Sequence, residues 1–315
     1  MPTVFTMGEA LIDFIPHQVG VELMEVESFR KAAGGAPANV ACAVSRLGGD
    51  SAFIGKLGAD AFGDFLIQTM QNAGVDTSRV LQTSEANTAL AFVSLKADGN
   101  RDFSFYRSPS ADMLLNKNEI KAWFREQDIL HFCSVDLIEA PVKYAHLKAI
   151  FLAKEAGALI SFDPNVRLPL WDNAENCRQT IHEFLPLCHI VKISDEELDF
   201  ITSLQDEAEA IASLFVGDVE HVIYTRGANG AVWYTRGFEV SEPGVKVNVI
   251  DTTGAGDAFI GAILYQISQL DNFNRRINPA IASEMLAFAN KAAAITTTRA
   301  GAIPGLPTLT EVKST

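Results

Sequence analysis

Cysteine is scarce and shows no pairing pattern: Cys42, Cys133, Cys177 and Cys188 are scattered, with no CxxC. That argues against a zinc knuckle or a disulfide framework and fits reduced thiols, each a small core residue. Long apolar runs are missing too, and none approaches a membrane span. The start, MPTVFTMGEA, has neither a basic region nor a long apolar one, so no signal peptide is read and a cytoplasmic location is expected. Positive charge is in deficit. With 25 Lys+Arg against 39 Asp+Glu, the net charge of −14 disfavours a nucleic-acid or acidic-membrane partner. An anionic substrate must then be met by local positive groups, because the global field repels it. Internal repeats, low-complexity segments and a clear inter-domain linker are absent as well. The 315 residues are therefore read as one α/β domain, 1–315.

What the chain does contain is a concentrated stretch at residues 245–266, VKVNVIDTTGAGDAFIGAILYQ. Val245, Val247 and Val249 alternate with other residues as in a strand with one buried face. Asp251, Thr252 and Thr253 offer helix-capping side chains. Gly254, Ala255 and Gly256 follow with almost no bulk, and Asp257 opens an apolar run at helical spacing. Free amides and the helix dipole make such a start suited to an anion. A carboxylate there makes sense if Asp257 takes a proton from an alcohol while the amides of Ala255, Gly256 and Asp257 hold charge on a transferred phosphoryl group. A lone GxG is equally compatible with structural punctuation.

Earlier in the chain, residues 11–15 form an extended apolar run containing Asp13, either a polar anchor in a cleft or a solvated strand-end residue. The string AAGGAPANVA leads into a helix over 40–47. Gly34 and Gly35 allow close backbone approach, and Asn39 sits where its amide can face a ligand, although a Gly-Pro loop capping a helix has the same pattern. Residues 88–106 alternate around a tight-turn signal at 97–100, which predicts a β-hairpin inserted among βα units as a lid. Phe105 on that hairpin could cover a substrate or simply pack between strands. Strands then alternate with helices, and small or charged residues collect after them at 163–167, 192–197, 226–230 and 251–257. In a doubly wound sheet those positions share the ligand-binding edge. A long helix over 280–296, a loop over 297–305 and a frayed tail from about Thr308 complete the pattern.

GEALIDFIP, GGAPANVA, FYRSPSAD, SFDPNVR, KISDEE, TRGANG and DTTGAGDAF occur in the order found in the ribokinase-like (PfkB-type) carbohydrate kinases, which this chain resembles over essentially its whole length. The phrasing is most similar to that of bacterial fructokinases. The resemblance implies a mostly parallel, doubly wound central sheet flanked by helices, with a small β lid built from segments at about 10–32 and 86–110. It implies Asp257 as general base with Gly254, Ala255 and Gly256 as anion hole, and Asp13, Gly34, Gly35, Asn39, Phe105, Arg107, Asn165 and Arg167 on the sugar side. It implies Arg167, Lys192, Thr225, Gly227, Gly230, Gly254, Gly256 and Asn290 on the ATP side. Glu197 is implied to act on Mg2+ through water, and Asp251 and Thr253, with the loop near 297–301, to hold K+ or another monovalent cation. Many relatives carry Asn-x-x-Glu where this chain has Ser194 to Glu197, which leaves the first metal contact open. The implied activity is ATP-dependent phosphorylation of a furanose hydroxyl, D-fructose first. Aminoimidazole riboside, 2-keto-3-deoxygluconate and ribose kinases are the rivals within the family, and a catalytically silent sugar sensor is the rival outside it. A homodimer through the lid is implied as well.

Overall fold

The computed structural model describes residues 2–18, 20–95, 101–271 and 277–314. Its strands are β1 (Val4–Met7), β2 (Leu11–Pro16), β3 (Phe29–Gly34), β4 (Ser51–Gly58), β5 (Val80–Thr83), β6 (Leu90–Leu95), β7 (Arg101–Tyr106), β8 (Ile129–Cys133), β9 (Leu159–Asp163), β10 (Ile190–Ser194), β11 (His221–Thr225), β12 (Ala231–Tyr234) and β13 (Glu239–Glu242). They form a nine-stranded sheet in the order β13-β12-β11-β10-β9-β8-β1-β4-β5 and a four-stranded sheet in the order β3-β2-β6-β7. From β11 to β5 the large sheet is parallel; β12 alone runs against both its neighbours.

Helices cover both faces. α1 (Ala36–Arg46) and α2 (Ala61–Asn72) precede α3 (Pro141–Glu155), α4 (Ala174–Phe184), α5 (Asp195–Thr202), α6 (Glu207–Ser213) and α7 (Ala255–Ser268), and a long helix, Pro279–Thr297, follows. The two-residue period of the strands sorts the core. Phe5, Leu130, Phe132, Ile160, Phe162 and Val191 pack with α3 to α6, whereas Val4, Ile129, Ile190 and Ile223 pack with α1, α7 and the long helix. The same alternation puts Asp163, at the carboxyl end of β9, and Lys192, midway along β10, on the α7 side.

The small sheet carries two unlike faces. Phe14, Phe29, Phe92 and Tyr106 form a row of ring contacts on one side, reaching Phe62 of α2. Asp13, Ala91 and Phe105 are in register on the other. The predicted hairpin is therefore present as β6 and β7, while its turn at 97–100 lies outside the described residues.

Four expectations need correction. Residues 245–249 do not form a strand: β13 takes the free edge of β12, and Pro243 and Gly244 end the pairing, so the alternating valines have no partner strand. Val249 and Ile250 are 59% and 69% exposed. The helix expected at 40–47 begins four residues earlier, with Pro37 in its first turn. The tail is not frayed: Leu309–Ser314 is helical, with Val312 buried. Within the predicted loop 297–305, Ala302–Gly305 is a short helical turn.

Candidate active site

Two helix starts meet at the carboxyl edge of the large sheet. α1 begins after Gly35, at φ +101°, and a Cβ there would lie 2.5 Å from the Glu9 carbonyl. α7 begins after Gly254, at φ +78°, and a Cβ there would lie 2.7 Å from Ala302 Cβ. Both positions thus need glycine for conformation and for space. About two turns into each helix, Gly261 meets Ala43; a Cβ on Gly261 would lie 2.6 Å from Ala43 Cβ. This close approach aligns the two first turns, and Asn39 Nδ2 donates to Asp257 Oδ2 at 2.8 Å. Both side chains are buried. Burial holds the Asp257 carboxyl above its ordinary value of 3.8; the Asn39 hydrogen bond and the charges of Lys192 and Arg167 pull the other way.

Neither N-cap glycine supplies a side-chain cap; at α1 the Glu9 carboxylate takes the Ala36 N–H instead, whereas at α7 first-turn amides are left for a ligand. Of the three amides assigned to the anion hole, however, Ala255 N–H donates to Thr252 O at 3.2 Å within the preceding turn. Gly256 and Asp257 precede the first helical bond, from Ala258 N–H to Gly254 O. Beneath them, Lys192 Nζ would be 3.4 Å from a Cβ on Gly256, so the missing side chain leaves an open cradle between amide and ammonium.

Lys192 is buried and pairs with Asp163 at 3.0 Å. Burial opposes its charge, but Asp163, Glu197 and Asp257 outweigh that and raise its pKa above the ordinary 10.5. Burial pushes Asp163 up to about 7 against the pull of Lys192, so the ammonium is the member of the pair whose charge is secured. Glu197 Oε1 accepts from Val166 N–H at 2.7 Å, and Oε2 accepts from Ser194 N–H at 2.9 Å and Ser194 Oγ at 2.8 Å. Burial works against its ionisation, yet Lys192 and those donors bring its pKa below the usual 4.5. Ser194 in the family's Asn position therefore completes a capping box with Glu197. Asn165 stands at φ +43° with its N–H on Asp163 Oδ1 at 3.2 Å, and Arg167 is exposed at the rim.

On the nucleotide side expected from the sequence, Thr225 Oγ1 reaches Ile193 O at 3.4 Å and Gly227 is at φ +51° with open space around it. Gly230, at φ +91°, passes so close to Glu242 O that a Cβ would overlap it. Asn290 is buried, and its amide donates to the carbonyls of Glu242 at 3.3 Å and Pro243 at 3.1 Å. The expected cation residues are gathered: Asp251 Oδ1 accepts from Thr253 N–H at 2.9 Å and Thr253 Oγ1 at 2.6 Å, and Oδ2 accepts from Gly301 N–H at 2.9 Å. The Asp251 amide donates to Thr297 O at 3.1 Å. Such hard oxygens suit a monovalent or divalent cation, but among the described residues no group of three His, Cys, Asp or Glu is placed to hold a metal ion.

On the sugar side, the Asp13 carboxylate lies directly over Gly34, where a Cβ would overlap it, and Phe105 packs against Leu11, Ala89 and Ala91. Arg107 is placed differently from the expectation of a ligand-facing side chain. It is buried, with Nε on Asp112 Oδ2 at 3.1 Å and Nη2 on Asp136 Oδ1 at 2.5 Å. Sequence reasoning missed Asp163 as the partner of Lys192. The signal was there, since an aspartate ends the apolar strand LISFD and an unpaired buried carboxylate is costly.

Residues 1–309 match the family model described as pfkB family carbohydrate kinase. The chain is 47% identical to Fructokinase-1 of Zea mays, over 98% of this chain and 96% of that one. A Vibrio cholerae O395 fructokinase double mutant, solved with fructose, ADP and potassium ion, superposes with a TM-score of 0.90 at 36% identity over 100% of this chain and 98% of that one. Aminoimidazole riboside kinase from Salmonella enterica, solved with aminoimidazole riboside and an ATP analog, superposes with a TM-score of 0.87 at 31% identity over 99% of each. No helix among the described residues is long and apolar enough to cross a membrane. With two glycine-started helices delivering Asn39 to Asp257 above a buried ammonium, and a match running through 309 residues, the chain belongs to the pfkB family of carbohydrate kinases.

Proposed function

We propose that the chain is an ATP-dependent fructokinase that moves the γ-phosphoryl group of ATP to the primary hydroxyl of D-fructose, giving fructose 6-phosphate and ADP. The observation that carries this is Asp257: a buried carboxylate on a helix start, bonded to a neutral amide, beside open backbone amides and the Lys192 ammonium. A carboxylate bonded to a cation would be a poor base. Here Asp257 takes the hydroxyl proton, and the sugar oxygen attacks phosphorus as the bond to ADP breaks. Gly254, Gly256, Lys192 and Arg167 take up phosphate charge, and Asn39 Oδ1, which has no hydrogen-bond partner among the described residues, accepts from a sugar hydroxyl. Asp13, Gly34, Gly35, Phe105 and Asn165 complete the sugar side.

Thr225, Gly227, Gly230 and Asn290 line the nucleotide side. A magnesium ion would arrive on the ATP phosphates, with Glu197 acting through water, because both Glu197 oxygens already hold backbone amides. Asp251, Thr253 and the carbonyl of Thr297 would hold potassium, supplying fixed positive charge near the anion hole. The enzyme works in the cytoplasm as a homodimer through its small sheet, whose outer ring row ends in Tyr106, 62% exposed.

The 31% identical riboside kinase supports aminoimidazole riboside as a second acceptor class. An ADP-release assay across D-fructose, ribose, aminoimidazole riboside, 2-keto-3-deoxygluconate and adenosine tests both. The highest kcat/KM is expected with D-fructose. Preference for the riboside would replace the substrate, and no release with any acceptor would favour a silent sensor.

A further inference from the structure

The residues that join the two sheets form a buried ionic cluster that the phosphoryl-transfer chemistry does not use. Glu9 lies between β1 of the large sheet and β2 of the small one. Arg107 follows β7, where the chain leaves the small sheet for good. Asp112 lies in the turn after it, and Asp136 in the loop after β8. All four are buried. The single guanidinium serves two carboxylates, Asp112 and Asp136, and its charge also acts on Glu9. Glu9 Oε2 has no hydrogen-bond partner among the described residues, and burial opposes the charge of Glu9 and Asp136, which Arg107 offsets.

Glu9 connects this cluster to the acceptor half of the site. Its Oε1 accepts from Ala36 N–H, the first residue of α1, at 3.0 Å. Its carbonyl is the atom that a Cβ on Gly35 would meet at 2.5 Å. A Cβ on the preceding Gly8 would lie 2.8 Å from Pro37 Cγ and 3.9 Å from Asp136 Oδ2. The turn that begins α1 is thus gripped from three directions, and Asn39, the donor to Asp257, sits three residues beyond Ala36.

We propose that Glu9 is a positioning residue for the acceptor sugar: by holding Ala36 N–H and facing Arg107, it fixes the start of α1 relative to the small sheet. It thereby sets the spacing between Asn39 on one side and Asp13 on the other. It acts on the hydroxyl to be phosphorylated only through those two groups, and the nucleotide half does not depend on it. Burial pushes the Glu9 carboxyl up to about 7 against the pull of Arg107, which makes a neutral carboxamide a close replacement.

The proposal rests on the fructokinase activity above, and steady-state ADP release with D-fructose and ATP varied separately tests it. Glu9→Ala is expected to raise the D-fructose KM about tenfold while the ATP KM stays within about twofold. Glu9→Gln keeps an acceptor for Ala36 N–H and is expected to bring the D-fructose KM back to within about threefold of wild type. An unchanged D-fructose KM in Glu9→Ala, or sugar and ATP KM rising together, overturns the proposal. If Glu9→Ala does not fold, Asp112→Asn is measured instead, with the same split expected at a few-fold size and an unchanged sugar KM counting against it. Wild-type protein that releases no ADP with D-fructose overturns the activity itself; active wild type with an indifferent Glu9 overturns the positioning role alone.

Discussion

The two flanks of Asp257 are built from opposite materials. The acceptor flank contacts it through a neutral amide, Asn39, set by glycine contacts at Gly35 and Gly261. The phosphate flank is charged: Lys192, Asp163 and Glu197 are buried together, and Lys192 spends its direct contact on Asp163. A cation paired with Asp257 would hold its pKa down and weaken it as a base, whereas a phosphate site without a lasting positive charge would bind its anion poorly. Giving the two demands to different partners, Asn39 for Asp257 and Asp163 for Lys192, lets a carboxylate stay basic beside an ammonium that stays charged.

Removing the base gives the largest expected effect. Asp257→Asn should lower kcat by about 10²–10⁴-fold while nucleotide binding, followed by calorimetry, is retained. Near-normal turnover would take the proton-accepting role away from Asp257. Breaking the charged flank comes next. Lys192→Met strands Asp163 and Glu197 without their cation and should cost about 3–5 kcal/mol in urea unfolding. A variant as stable as wild type would show that the pair contributes no net stability.

The neutral flank is sharpened by pH. Asp257 must be ionised to act, so kcat/KM should fall as pH drops through its pKa, which burial holds above 3.8. Asn39→Ala removes a bond that favours the ionised form, so the acid limb should move to higher pH and kcat/KM should fall by about one to two orders of magnitude. An acid limb that stays in place would separate Asn39 from the ionisation. The smallest effect is expected at Ser194→Ala, which deletes the hydroxyl's bond to Glu197 Oε2, at 2.8 Å, and its half of the capping box, and leaves the backbone donors of Ser194 and Val166 in place. A loss of about 1 kcal/mol in unfolding is expected, with ATP KM little changed; a large rise in ATP KM would give Ser194 a direct part in nucleotide binding.

Local signals made the two helix starts legible. Glycines at 34, 35 and 254 are needed where backbone turns through φ > 0 or passes close to another chain segment, and that requirement is written in the sequence itself. The hairpin β6–β7 and the parallel order of β8 to β11 were readable for the same reason, from period and punctuation. Residues 245–249 misled because alternation describes a chain's own faces and says nothing of whether a free sheet edge is available; β13 had taken it. Val312 was invisible as a core residue because six residues of tail carry too little pattern. The Glu9, Arg107, Asp112 and Asp136 cluster depends on contacts between distant segments, 27 residues apart for Glu9 and Ala36 and 29 for Arg107 and Asp136, which no local window contains.

A structure of the protein with D-fructose and a non-hydrolysable ATP analogue bound tests the central claim most directly. The account predicts a carboxylate oxygen of Asp257 within about 2.6–3.2 Å of the sugar's primary hydroxyl, with Asn39 still bonded to the other side of that carboxyl. A primary hydroxyl held by a different group, with Asp257 out of reach, would contradict it.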